Sequence, residues 1–147
     1  MDNFKILKLE ETQIINNTIV NAHVGINDVL KGKANITNNI FYNCWKSINL
    51  VTGSNFVGTN NLFYNNTSDP LLLNNPVTGF DPLFVNAASQ DYHIQKDSPA
   101  VDSGAVVAVD YDYDGDARPI GEGYDIGADE YGDAVHLLYL PLVMNGD

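Results

Sequence analysis

The chain has 147 residues, a net charge of −12, a pI near 4.2 and 44% apolar residues. That length suits one domain, or one domain with a small appendage, and the apolar share is enough for a core. So acidic a chain argues against nucleic acid, whose phosphates need a basic patch, and against anionic membrane surfaces.

The start, Met1-Asp2-Asn3-Phe4-Lys5, lacks the basic residues, long apolar stretch and small-residue cleavage site of a signal peptide. A pattern Asn-Asn-x-x-x-Asn then recurs every 22 residues, at Asn16-Asn17…Asn21, Asn38-Asn39…Asn43 and Asn60-Asn61…Asn65. A period of this size predicts a solenoid, in which each coil buries its apolar side against the next. The apolar columns agree. Ile19, Phe41 and Phe63 share a phase, as do Phe4, Ile26 and Ile48, and Leu7, Val29 and Val51. Ile14 matches Ile36, but the third copy carries Gly58 there. Stacked parallel strands need such columns, repeated about 4.8 Å along the axis. Leucine-rich repeats need several Leu at fixed phase and are excluded. No sustained helical stripe and no threonine ladder is present.

Strand alternation places Asn17, Asn39 and Asn61 on the face of the apolar Ile19/Phe41/Phe63 column, with Asn21, Asn43 and Asn65 on the same inward face. A buried amide needs partners. At strand spacing, each amide donates to the next oxygen and the remaining groups cap turns, forming an asparagine ladder. The alternative is that these asparagines mark solvent-exposed turns. Val20, Tyr42 and Tyr64 should then point outward. With nearby Trp45, the two tyrosines would form a stacking platform for sugar rings, or else pack against a loop. Cys44 is the only cysteine, so no internal disulfide forms, and it reads as a small filler. Phe4 and Leu7 lie mid-phase, which predicts that the chain begins within a coil of a longer solenoid.

The repeat breaks at Thr67-Ser68-Asp69-Pro70, after which Leu71-Leu72-Leu73 suits one last strand. Five short strings follow in order: Asp81-Pro82-Leu83-Phe84, Asp91-Tyr92-His93-Ile94, Ser98-Pro99-Ala100-Val101-Asp102-Ser103-Gly104, Asp112-Tyr113-Asp114-Gly115 through Arg118-Pro119, and Asp125-Ile126-Gly127-Ala128-Asp129-Glu130-Tyr131. Residues 101–133 hold eight Asp and two Glu against one Arg. Arg118 is therefore expected to pair with one or two of Asp102, Asp125 and Glu130 in a bidentate clasp.

This ordered set resembles the ending of many secreted bacterial right-handed parallel β-helix proteins of the pectate-lyase-like superfamily, including those with a choice-of-anchor domain. The likeness covers about residues 12–131 with the repeats counted. It departs at Ile94, where Leu is usual, and in an extra Asp pair before Gly115. The resemblance implies an extracellular or cell-surface protein, although no export signal is present. Enzymes of this fold act on polysaccharides through Lys or Arg bases with calcium-binding acids, or through carboxylate pairs. In the repeats, His23, Asp28, Lys31, Lys33 and Lys46 share no column, and His93 and His136 have no evident partner in sequence.

Asp110, Asp112, Asp114 and Asp116 alternate ahead of and behind Gly115, as in a calcium loop. The twelfth residue from Asp110 is Gly121 rather than Glu, so an EF-hand is excluded. Either a looser Ca²⁺ site or an acidic solvated turn remains. The apolar tail, near Tyr139-Leu140-Pro141-Leu142-Val143, is too short to span a bilayer and loosely resembles a sorting tail.

The expected architecture is all-β: a right-handed parallel β-helix of about three 22-residue coils over 1–75, an acidic C-terminal cap over 76–133, and an apolar tail over 134–147. The expected function is a noncatalytic extracellular module that contacts a polysaccharide or cell-surface glycan. The alternative is part of a polysaccharide lyase or glycoside hydrolase whose active site lies on upstream coils.

Overall fold

The computed structural model describes residues 11–27, 33–50, 53, 55–70 and 73–132. Phe4, Leu7, Asp28, Val29, Lys31, Val51, Leu71, Leu72, His136 and the 134–147 tail lie outside the described residues.

The fold is all-β, with one 3₁₀ turn at Ala87–Ser89 as its only helical element among the described residues. Each 22-residue repeat lays down short strands separated by asparagine corners. The strands are β1 (Thr12–Ile15), β2 (Thr18–Val20), β3 (Val24–Asn27), β4 (Lys33–Thr37), β5 (Ile40–Tyr42), β6 (Lys46–Asn49), β7 (Asn55–Val57), β8 (Leu62–Tyr64) and β9 (Val77–Thr78). They pair in parallel as β1-β4-β7, β2-β5-β8-β9 and β3-β6. From β1 to β8 the register is one repeat: Ile14 faces Ile36, Phe41 faces both Ile19 and Phe63, and Ile26 faces Ile48, whereas β9 departs from it, with Leu62 facing Val77. This arrangement is compatible with a solenoid.

Asn16, Asn21, Asn38, Asn43, Asn60 and Asn65 all adopt the left-handed conformation, with φ between 53° and 56°. They bracket β2, β5 and β8. Asn enters this region more readily than most residues, so the paired-Asn pattern dictates where the chain turns between sheets.

Inside, Ala34, Ile36, Phe41, Ile48, Phe63 and Leu73 form one core. Phe41 and Phe63 stack with ring centres 5.1 Å apart. Asn39 and Asn61 are fully buried beside them. Asn61 Oδ1 accepts from both the backbone N–H and Nδ2 of Asn39, each at 2.9 Å. Asn39 Oδ1 accepts from the same two groups of Asn17 at 3.0 Å. Asn39 Nδ2 also donates to Ile14 O at 2.8 Å, and Asn61 Nδ2 donates to Ile36 O at 2.7 Å. The asparagine side chains thus stack by hydrogen bonding, and each closes a corner.

The Asn21/Asn43/Asn65 column corrects the expected inward facing. All three are exposed, and they form a second ladder on the surface, with Nδ2–Oδ1 distances of 2.6 and 3.1 Å. The left-handed corner interrupts strand alternation, so the inward place passes to the next residue. Cys44 there is buried, and Asn66 Oδ1 accepts from its N–H at 2.7 Å.

Val20, Tyr42 and Tyr64 face away from the inner core, as expected, but that outer face is packed rather than open. They belong to a second core with Ile40, Leu62, Phe84, Ile94, Ala100 and Ile126. The sheet β2-β5-β8-β9 is therefore covered on both faces. Its outer cover is the later chain, which includes the antiparallel pair β10 (Phe84–Asn86) and β11 (Asp91–Ile94). The segment expected as an end cap runs along the side of the repeats and reaches back to the earliest described ones. Asn16 Nδ2 donates to Asp125 O at 2.9 Å, Asn38 Nδ2 to Ala105 O at 2.8 Å and Asn60 Nδ2 to Ser103 O at 2.8 Å. The first asparagine of each pair thus hooks this flank to the repeats.

Candidate functional site

The flank is organised around Arg118. Its guanidinium is buried and meets Glu130 at 2.7 Å, while Nη2 donates to Gly127 O at 2.9 Å. Glu130 also accepts from Ile120 N at 3.0 Å and Asp125 N at 3.1 Å. The Asp125 carboxylate takes the N–H groups of Asp102, at 2.6 Å, and Tyr131, at 2.5 Å. Burial pushes Asp125 up to about 6, against the opposing pull of those two donors. The Asp102 side chain instead accepts from Gly123 N at 2.7 Å. Of the expected carboxylate partners, Glu130 is the one that pairs with Arg118 through its side chain. These groups hold the backbone of the flank.

Asp112 organises the acidic turn. Its Oδ1 accepts from Asp114 N at 2.9 Å and Asp116 N at 2.8 Å, and its Oδ2 from Glu130 N at 3.1 Å. Asp110 and Asp116 stay exposed. The four alternating carboxylates are not gathered into one ligand set. The one group with metal-ligating atoms in mutual reach among the described residues is His93, Asp114 and Asp129.

Those three side chains line a cleft of about 310 Å³ on the flank. Tyr92, Gln90 and Tyr113 complete its walls, with Thr18 and Ala128 at its base. The base is tied to the repeats, since Ala128 N donates to Thr18 Oγ1 at 3.0 Å. Tyr113 N donates to Ala128 O at 3.0 Å and presents the acidic turn to the cleft. Asp129 Oδ2 accepts from Ile94 N at 2.7 Å, which locks it against β11. Gln90 adopts the left-handed region, φ 63°, and directly precedes β11. Strand alternation then sends Asp91 and His93 to one face.

His93 corrects the expectation of a histidine without partners. Its Nδ1 lies 2.5 Å from Asp91 and its Nε2 lies 2.7 Å from Asp114. An ionised carboxylate only accepts, so this double contact favours the protonated ring, in which both nitrogens donate. The hydrogen bond to Asp91, and then that to Asp114, push His93 up to about 9. His93 holds Asp91 below its ordinary value. Burial raises Asp129. The i, i+2 spacing of Asp91 and His93 was a readable signal. The Asp114 contact spans 21 residues and needed the folded flank.

The expected sugar platform is divided. Tyr42 stacks on Tyr64 at 6.0 Å and meets the edge of Phe84 at 5.3 Å, so the tyrosines serve packing. Trp45 is half exposed and stacks on His23 at 4.6 Å, with Lys46 5.9 Å from its ring. The cleft also carries exposed aromatic surface, since Tyr113 is 83% exposed.

No family model and no curated protein matches this chain.

Proposed function

We propose that this chain is a right-handed parallel β-helix module of the pectate-lyase-like kind that works outside the bacterial cell and binds a polysaccharide or cell-surface glycan without cleaving it. The 22-residue register among β1 to β8 and the stacked asparagines support the fold. The observation that carries the binding role is the flank cleft. It sets the exposed ring of Tyr113 and the body of Tyr92 beside Gln90, Asp114 and Asp129. Sugar rings stack their C–H faces on aromatic side chains, while amides and carboxylates take the hydroxyls. Concave sites that combine apolar walls with a few fixed polar groups suit small ligands. The catalytic-type residues of the described repeats stay scattered. Lys46 reaches Asn49 at 3.2 Å, and His23 stacks on Trp45.

A panel of neutral, acidic and amino polysaccharides, titrated by calorimetry, tests this reading. At least one should bind, and Tyr113→Ala should weaken it by about tenfold or more, roughly 1.4 kcal/mol. Tyr111→Ala, also exposed but outside the cleft, should not. Binding that is indifferent to Tyr113 would overturn the site. Release of new sugar ends would instead assign the chain to the lyases or hydrolases.

A further inference from the structure

We propose that the flank cleft binds a divalent transition-metal ion through His93 Nε2 and one carboxylate oxygen each of Asp114 and Asp129, with Asp91 orienting the imidazole. The inference does not depend on glycan binding.

The three donor atoms lie within 4.8 Å of one another. Zinc–nitrogen and zinc–oxygen bonds of about 2.0–2.1 Å set tetrahedral ligands about 3.3 Å apart, so small side-chain movements close the site. The ligands come from β11, the acidic turn and the stretch around Asp129. Backbone contacts set these segments in place: Tyr113 N on Ala128 O at 3.0 Å, and Ile94 N on the Asp129 carboxylate at 2.7 Å. The framework therefore exists before any ion arrives.

Asp91 supplies the outer partner. It holds Nδ1 of His93 at 2.5 Å and turns Nε2 toward Asp114. A carboxylate behind a ligating histidine is the recurrent arrangement at zinc centres, where it fixes the ring and raises its basicity. His93 Nε2 lies 2.7 Å from Asp114 Oδ2, where a ring proton can bridge the two. An incoming ion takes that place, and the proton passes to solvent.

The donor set selects the metal class. One imidazole and two carboxylates suit Zn²⁺, Co²⁺ or Mn²⁺. Calcium prefers six to eight oxygens at longer distances, and this cluster cannot supply them. The cleft leaves room on the open side for water or a ligand oxygen, as at metal centres with an exchangeable position.

The test uses the full chain, stripped with a chelator and dialysed, then titrated with Zn²⁺ and Ca²⁺ by calorimetry and with Co²⁺ by visible absorption. We expect about one saturable Zn²⁺ per chain, an affinity for Zn²⁺ at least about tenfold above that for Ca²⁺, and Co²⁺ bands characteristic of low coordination number. His93→Gln should reduce Zn²⁺ affinity by about tenfold or more, and Asp91→Asn by about 10- to 100-fold. His23→Gln and Asp116→Asn should leave it unchanged. Asp129→Asn risks the fold, because Asp129 anchors Ile94, whereas His93 is half exposed and its replacement should fold. No saturable binding, undiminished binding by His93→Gln, or a preference for Ca²⁺ would each overturn the proposal.

Discussion

Asn39 and Asn43 stand four residues apart in the same repeat and both belong to ladders, yet they do unlike work. Asn39 is fully buried, and its amide satisfies corner carbonyls that water cannot reach. Asn43 is exposed, and its ladder bonds compete with water. Removing one partner from a buried hydrogen-bonded group costs about 1–3 kcal/mol for each group stranded. Asn39→Ala should therefore destabilise by at least that much in urea unfolding. Asn43→Ala loses a solvated bond but also a left-handed corner, so its cost should stay near 1 kcal/mol. Equal costs at the two positions would refute the division into an inner and an outer ladder. The same residue type at 16, 38 and 60 has a third use, hooking the flank, and this was not legible from composition. All three columns look alike in the sequence.

Among the elements, the sheet β2-β5-β8-β9 decides how the molecule is layered. Its two central strands read Ile40-Phe41-Tyr42 and Leu62-Phe63-Tyr64, with no polar residue in alternation. Continuous apolar strands belong to parallel sheets covered on both faces. That signal pointed to a cover on the outer side, where an alternation argument placed solvent. Gly58 shows a second element-scale constraint. It breaks the Ile14–Ile36 column because the backbone passes so close to Ile36 that a built Cβ would collide with its carbonyl oxygen. Gly58→Ala should cost about 2 kcal/mol or more in chemical denaturation, since backbone has to move to make room. A neutral result would mean that the approach between these repeats is looser than described.

At the scale of the whole molecule, the flank that covers the repeats is itself ordered by a buried ion pair. Arg118 is the one cation in a strongly acidic stretch, and it is buried against Glu130. A pair of this kind adds little net stability compared with an apolar substitute, but breaking it strands a charge. Glu130→Gln should lower stability by about 3 kcal/mol or more and should loosen the flank ahead of the repeats. Hydrogen exchange would then show residues 100–130 deprotected while the amides of β5 and β8 remain slow. Uniform loss across both regions would indicate that flank and repeats unfold as one unit.

The repeat made the strands, their register and the corner positions legible, because each depends on residues a fixed 22 apart and on the local freedom of asparagine. The pairing of Arg118 with an acid was also readable from charge alone. The path of the flank and the cleft it forms were not. They depend on where Asn16 meets Asp125, where His93 meets Asp114 and where Ile94 meets Asp129. Periodic neighbours announce themselves because every repeat states the same contact again. These contacts occur once each, between segments whose approach is set by burial of the outer sheet face, so only the tertiary structure decided them.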